Sequence, residues 1–121
     1  MLMNTADIAS IPYLKKQVLT KQTSSFPTPI EIIQYIYGAC HGAQLYKGSS
    51  LSDAEQEYIA LKAVVDGNMI PIDASQEYRQ AIVNFCVNSN GYHQRELYAA
   101  AKNWLRDKPR KATVEDQKIL A

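Results

Sequence analysis

The sequence predicts a small all-α, single-domain bundle of four to five short helices, and three observations carry that expectation. Helix-start chemistry recurs along the chain, with "TPIE", "SDAE" and "DASQ" each preceding an apolar run. Apolar residues then follow at i, i+3 and i+4 spacing, the period of one helix face. Between these runs stand the breakers "KGSS", "DGNMIP", "NSNG" and "DKP", and no pair of alternating segments suggests a hairpin.

Residues 7–22 read as a weaker helix with Ile8, Leu14 and Val18 on its apolar side, interrupted near its start by Pro12. Residues 1–27 are accordingly expected to be a weakly helical or disordered N-terminal segment, and 28–121 the helical domain. Thr28 caps the next helix, with Pro29 at its first position and Glu31 three residues on, so that the two side chains satisfy each other's orphan backbone donors. Ile32, Ile33, Ile36, Tyr37, Cys40 and Ala43 form its apolar side. Ser52 and Glu55 repeat the capping box before Tyr58, Leu61, Val64 and Val65. Asp73 with Gln76 gives a variant before Tyr78, Ala81, Ile82, Phe85 and Cys86. Leu97, Tyr98, Ala101, Trp104 and Leu105 mark the following helix, and Thr113 is placed to cap a last one. Each such cap is worth roughly 1 kcal/mol. "NMIPI" is at most a short apolar connector.

Charge and composition exclude some partners. Thirteen basic and twelve acidic side chains give a formal charge of +1 over 121 residues, with the cations scattered. Nucleic acid is therefore not an expected partner, because its recognition rests on a concentrated basic field. No apolar run approaches the length of a membrane span, and membrane-surface binding is not expected either. The opening "MLMNTADIAS" lacks the charged start and sustained apolar stretch of a leader.

The chemistry-bearing residues are two cysteines and two histidines: Cys40 beside His41, and Cys86 seven residues before His93. Cys40 and His41 fall inside a helix, pointing about 100° apart, and cannot act together on one target. A zinc site would need paired ligands at short spacing, which is missing, so no metal and no cofactor are expected. A cysteine nucleophile needs an exposed thiolate and a base, whereas Cys86 lies on an apolar face. With no phosphate-binding loop or carboxylate pair in addition, no catalytic residue is assigned and no enzymatic activity is expected. A disulfide or two unconnected buried thiols remain. Both cysteines lie on apolar faces of different helices, which favours a Cys40–Cys86 bridge worth roughly 3–4 kcal/mol. Gly38 and Gly42, four apart on one face, read as a site of close helix packing.

The second half of the chain resembles the Rap1a/Tai-type immunity proteins. Phe85-Cys86-Val87, then Trp104, Leu105 and Pro109, then Ile119, Leu120 and Ala121 correspond to that family's closing pattern, and Tyr35, Ile36 and Gly38 to its Tyr-Ile-x-Gly helix. Those are small helical periplasmic proteins that neutralise peptidoglycan-cleaving amidases of type VI secretion. The resemblance implies a non-enzymatic inhibitor, monomeric or homodimeric, that covers the active site of a protein partner. It places the protein in the periplasm, with the cytoplasm as the alternative. The polar stretch "VNSNGYHQRE" is the expected contact loop, through Asn88, Asn90, Tyr92, His93 and Arg95, since Tyr and Arg are frequent interface anchors. A second surface is "LYKGSSLSDAEQEY", between Tyr46 and Tyr58. The rival readings are a periplasmic acid-stress chaperone resembling the HdeA class, and a cytosolic helical adaptor or inhibitor.

Overall fold

Helix-start chemistry decides where the elements begin. The computed structural model of the protein describes residues 5–107 of its 121. Among these are a single-turn α1 (Thr5–Ala9) and five longer helices: α2 (Ile11–Thr20), α3 (Pro29–Lys47), α4 (Asp53–Asp66), α5 (Gln76–Val87) and α6 (Gly91–Arg106). The protein is all-α. The expected last helix capped by Thr113 lies outside the described residues.

Both capping boxes form. Glu31 N–H donates to Thr28 Oγ1 at 3.2 Å and Thr28 N–H to Glu31 Oε1 at 2.9 Å. Ser52 and Glu55 make the same reciprocal pair at the start of α4, at 2.8 and 3.2 Å. The expected Asp73–Gln76 cap is replaced by Ser75, whose Oγ accepts from Tyr78 N–H. Asp73 sits in a left-handed turn (φ 60°), with Ala74 N–H bonded to Pro71 O, and so closes the connector instead of opening the helix.

The helix expected over 7–22 breaks at Ser10, and Pro12 lies in the first turn of α2, where its missing N–H costs nothing. Ile8 is exposed, while Ile11, Leu14 and Val18 are buried. A boundary at residue 28 does not divide this core. α2 packs on α4 and α5, and Arg79, buried on α5, donates from Nη1 to Val18 O at 3.1 Å and to Lys21 O at 2.9 Å. These are carbonyls that the end of a helix leaves unpaired, met here by a cation favoured by the helix dipole. Lys15 adds an ion pair to Glu57 of α4 at 2.8 Å. Residues 21–27 then run beside the connector 68–72, joined by a Ser25–Pro71 bridge and by Ile72 N–H to Ser25 O at 2.8 Å.

The core lies where α4 and α5 cross their neighbours. Leu61, Val64, Tyr78, Ile82, Phe85 and Leu97 have no exposed surface. α6 closes one side through Trp104, whose ring lies 5.4 Å from that of Tyr78. The Tyr78 hydroxyl is buried without a hydrogen-bond partner among the described residues. No helix among the described residues is long and apolar enough to cross a membrane.

Candidate functional site

α3 changes character along its length. Pro29, Ile32, Ile33 and Ile36 are buried, but no residue after Ile36 is. The second half leans on α4 through half-buried Ala39, Cys40, Ala43 and Lys47 and turns everything else outward. Lys47 anchors the far end, its Nζ 2.6 Å from Glu55 Oε1 and 3.1 Å from Ser50 O. That contact, with the capping bond from Ser52, holds the Glu55 carboxyl down at about 2. Gly48 ends the helix in the left-handed region (φ 81°), the conformation that favours glycine there.

Between this half of α3, the start of α4 and the α5–α6 turn lies an open cleft of about 490 Å³, lined by Tyr37, Cys40, His41, Gln44, Gln56 and Ser89. Hydrogen bonds fix its far wall. Gln56 Nε2 donates to Cys86 O and to Ser89 Oγ, each at 3.0 Å. Ser89 Oγ donates to Phe85 O at 2.8 Å, and the Tyr37 hydroxyl to Ser89 O at 3.3 Å. The Tyr37 ring meets Phe85 edge-on at 5.6 Å. Gln56 and Tyr37 thereby tie three helices at one corner. A shallower depression of about 340 Å³ continues past His41 and Gln44 to Leu45, Gly48, Ser49 and Ser50, which lies within the second expected surface.

The expected Cys40–Cys86 disulfide is not formed; both residues are free thiols. Cys40 Sγ lies 4.0 Å from the Gln56 carbonyl oxygen on the cleft wall, whereas Cys86 is sealed in the core. Apolar faces turned both side chains inward without aligning the sulfurs; α3 meets α5 through the Tyr37 ring on Phe85 instead, and Gln56 ties α4 to α5. Burial raises the Cys40 thiol pKa, partly offset by the Gln56 side chain. Burial also drives the Cys86 thiol far above its ordinary value, with Cys40 and Glu57 adding to the effect. Neither thiol is activated as a nucleophile requires. Among the described residues no three of His, Cys, Asp and Glu gather as metal ligands would.

The expected contact loop is much shorter than the ten-residue stretch. Only Asn88, Ser89 and Asn90 separate α5 from α6. Asn88 ends α5, and its carbonyl accepts from Asn90 N–H at 2.9 Å and faces His93 Nδ1 at 3.0 Å. A carbonyl can only accept, so Nδ1 carries the proton. Asn90 caps α6, its Oδ1 accepting from His93 N–H at 2.8 Å. Asn88, Asn90 and His93 are thus engaged in shaping the corner. Tyr92 and Arg95 remain exposed on the first two turns of α6. The Tyr92 hydroxyl donates to Glu96, which raises its pKa.

The glycines divide into two kinds. A Cβ on Gly67 would meet the Tyr35 ring at 2.6 Å, so its absence makes room for that ring. A Cβ on Gly38 or Gly42 would meet nothing within 4 Å. The close helix packing expected at these two positions is not supplied by the described part of the chain. Comparison of the sequence and structure with known protein families, with curated proteins and with solved structures finds no match in any of the three.

Proposed function

We propose that this chain is a non-enzymatic protein-binding module that receives a partner at the corner where α3, α4 and the α5–α6 turn meet. The observation that carries this reading is the open cleft, whose six lining side chains include no Asp, Glu, Lys or Arg. The turn that contributes Ser89 to it leads directly into exposed Tyr92 and Arg95. Pockets that are largely apolar with a few convergent polar groups are common binding sites, and an exposed Tyr and Arg beside one supply anchors for a rim. The raised thiol pKa values support binding over cysteine catalysis.

The particular partner is a secreted peptidoglycan amidase, covered at its active site. This step rests on the resemblance of Phe85-Cys86-Val87 and Tyr35-Ile36-x-Gly38 to the immunity proteins. A panel of purified secreted amidases assayed on peptidoglycan tests it. The expected result is stoichiometric inhibition of one of them, weakened at least tenfold by Arg95→Glu and Tyr92→Ala. Full cleavage by every amidase in the presence of excess protein would refute the amidase assignment. A cytosolic helical adaptor is the second reading, and the free thiols favour it, because they remove the argument for export that a bridge would have given. The chaperone reading loses the interhelical disulfide on which it depends.

A further inference from the structure

The outer face of α6 carries a line of cations. Successive helical positions advance by about 100° and 1.5 Å, so Ala99, Lys102 and Arg106 fall within about 40° of Arg95, along roughly 16 Å of helix. All four are exposed, opposite the side that buries Leu97, Ala100, Ala101, Trp104 and Leu105. Tyr92, 59% exposed, stands at the head of the line. The formal charge of +1 conceals this bias: six of the thirteen basic side chains fall between Arg95 and Lys111, against two of the twelve acidic ones.

Elsewhere most cations of the described chain hold the fold together. Lys15, Lys47 and Lys62 pair with Glu57, Glu55 and Asp66, and Lys21 and Arg79 donate to backbone carbonyls. On α6, Arg95 and Lys102 form no ion pair among the described residues. Arg106 reaches only the adjacent Asp107, at 3.8 Å, and the Asn103 side chain, at 2.7 Å. These charges are therefore open to an outside counter-charge.

The flank of the line narrows what that counter-charge belongs to. On the side towards α5, Glu77 and Glu96 line the groove between the two helices. A nucleic-acid duplex carries one negative charge per ~1.7 Å of its axis and would meet these carboxylates as well as the cations. A protein surface sets its acidic side chains only where cations face them. Apart from Tyr92, this face has no large apolar side chain to enter a bilayer.

We infer that the outer face of α6, on Arg95, Lys102 and Arg106, docks an acidic protein surface, with Tyr92 as the aromatic anchor at its head. This rests on the reading of the chain as a protein-binding module and supplies the charge of the partner. Such complementarity acts on association rate and specificity, and it is screened by salt.

Penta-glutamate, which extended is about as long as the line, serves as the probe. Titrated at low salt into the isotope-labelled full chain, it is expected to shift the backbone amide resonances of α6, and added salt is expected to reverse the shifts. Lys102→Glu, at an exposed site, is expected to keep its helical circular dichroism and to weaken binding roughly tenfold or more. Lys16→Glu makes the same change of net charge on exposed α2 surface and is expected to leave binding unaltered. Absent binding, shifts centred away from α6, or equal weakening by both substitutions overturns the inference. Retention of the chain by duplex DNA or by phosphatidylserine vesicles at physiological salt overturns the assignment to an acidic protein. An amidase inhibited equally by Lys102→Glu and by the unaltered protein overturns it too, while leaving the protein-binding reading in place. Failure to inhibit any amidase, with the peptide still bound on α6, refutes the amidase assignment alone and upholds the acidic docking face.

Discussion

The two halves of α3 share one helix and one cap but stand in opposite relations to the rest of the molecule. The first half sends Ile32, Ile33 and Ile36 into the core, where at most 2% of any of them is exposed. The second half buries nothing and presents Leu45 and Tyr46 to solvent. A helix this long is more than the core requires. Its first half secures it, Lys47 and Glu55 tie down its far end, and the stretch between is free to serve as a surface. Burial and exposure are thus assigned to different turns of the same helix.

Substitutions separate the halves most sharply. Ile36→Ala removes a fully buried side chain and is expected to lower unfolding free energy by about 2–5 kcal/mol, measured by urea denaturation. Leu45→Ala, at an exposed site, is expected to change it by no more than about 0.5 kcal/mol. Equal losses at both positions would erase the distinction. Thiol accessibility gives a second contrast. Cys40, at the cleft, is expected to be alkylated in the native protein, slowly because its pKa is raised, and Cys86 only on unfolding. Two adducts form after denaturation without reductant; none before reduction would reveal a bridge.

The smallest effect concerns the anchored end of α3. Glu55 has a folded pKa of about 2 against an ordinary 4.5. A depressed carboxyl pKa stabilises the fold above its unfolded value, and that contribution is lost as pH falls from about 4.5 towards 2. Glu55→Gln should flatten the pH dependence of stability in that window and leave the slope elsewhere unchanged. The effect is small because the pair is near solvent and screened.

What was legible in the sequence was local. Thr28 with Glu31 and Ser52 with Glu55 specify helix starts through neighbours three residues away, and both formed as read. Asp73 misled because Ser75, two positions later, takes the Tyr78 N–H and sets the helix start there. The place of α2 in the core depends on Arg79 reaching Val18, 61 residues away, which no local pattern encodes. The cleft depends likewise on Tyr37 reaching Ser89 across 52 residues. Periodicity showed that Cys40 and Cys86 turn inward, but not whether their sulfurs meet. Asn88, Asn90 and His93 drew notice as polar turn residues; in the structure the same polarity builds the corner, leaving Tyr92 and Arg95 outward. Gly38 and Gly42 read as a packing face, but among the described residues nothing packs on them.

The most direct measurement is thermal and urea unfolding of the Gly38→Ala, Gly42→Ala double variant. If the second half of α3 is an outward surface, the added methyl groups meet nothing and improve helix propensity, and stability rises by roughly 1–2 kcal/mol. A fall in stability would show that the two glycines serve the interior of the fold, contradicting the division of α3 into a buried half and an exposed half.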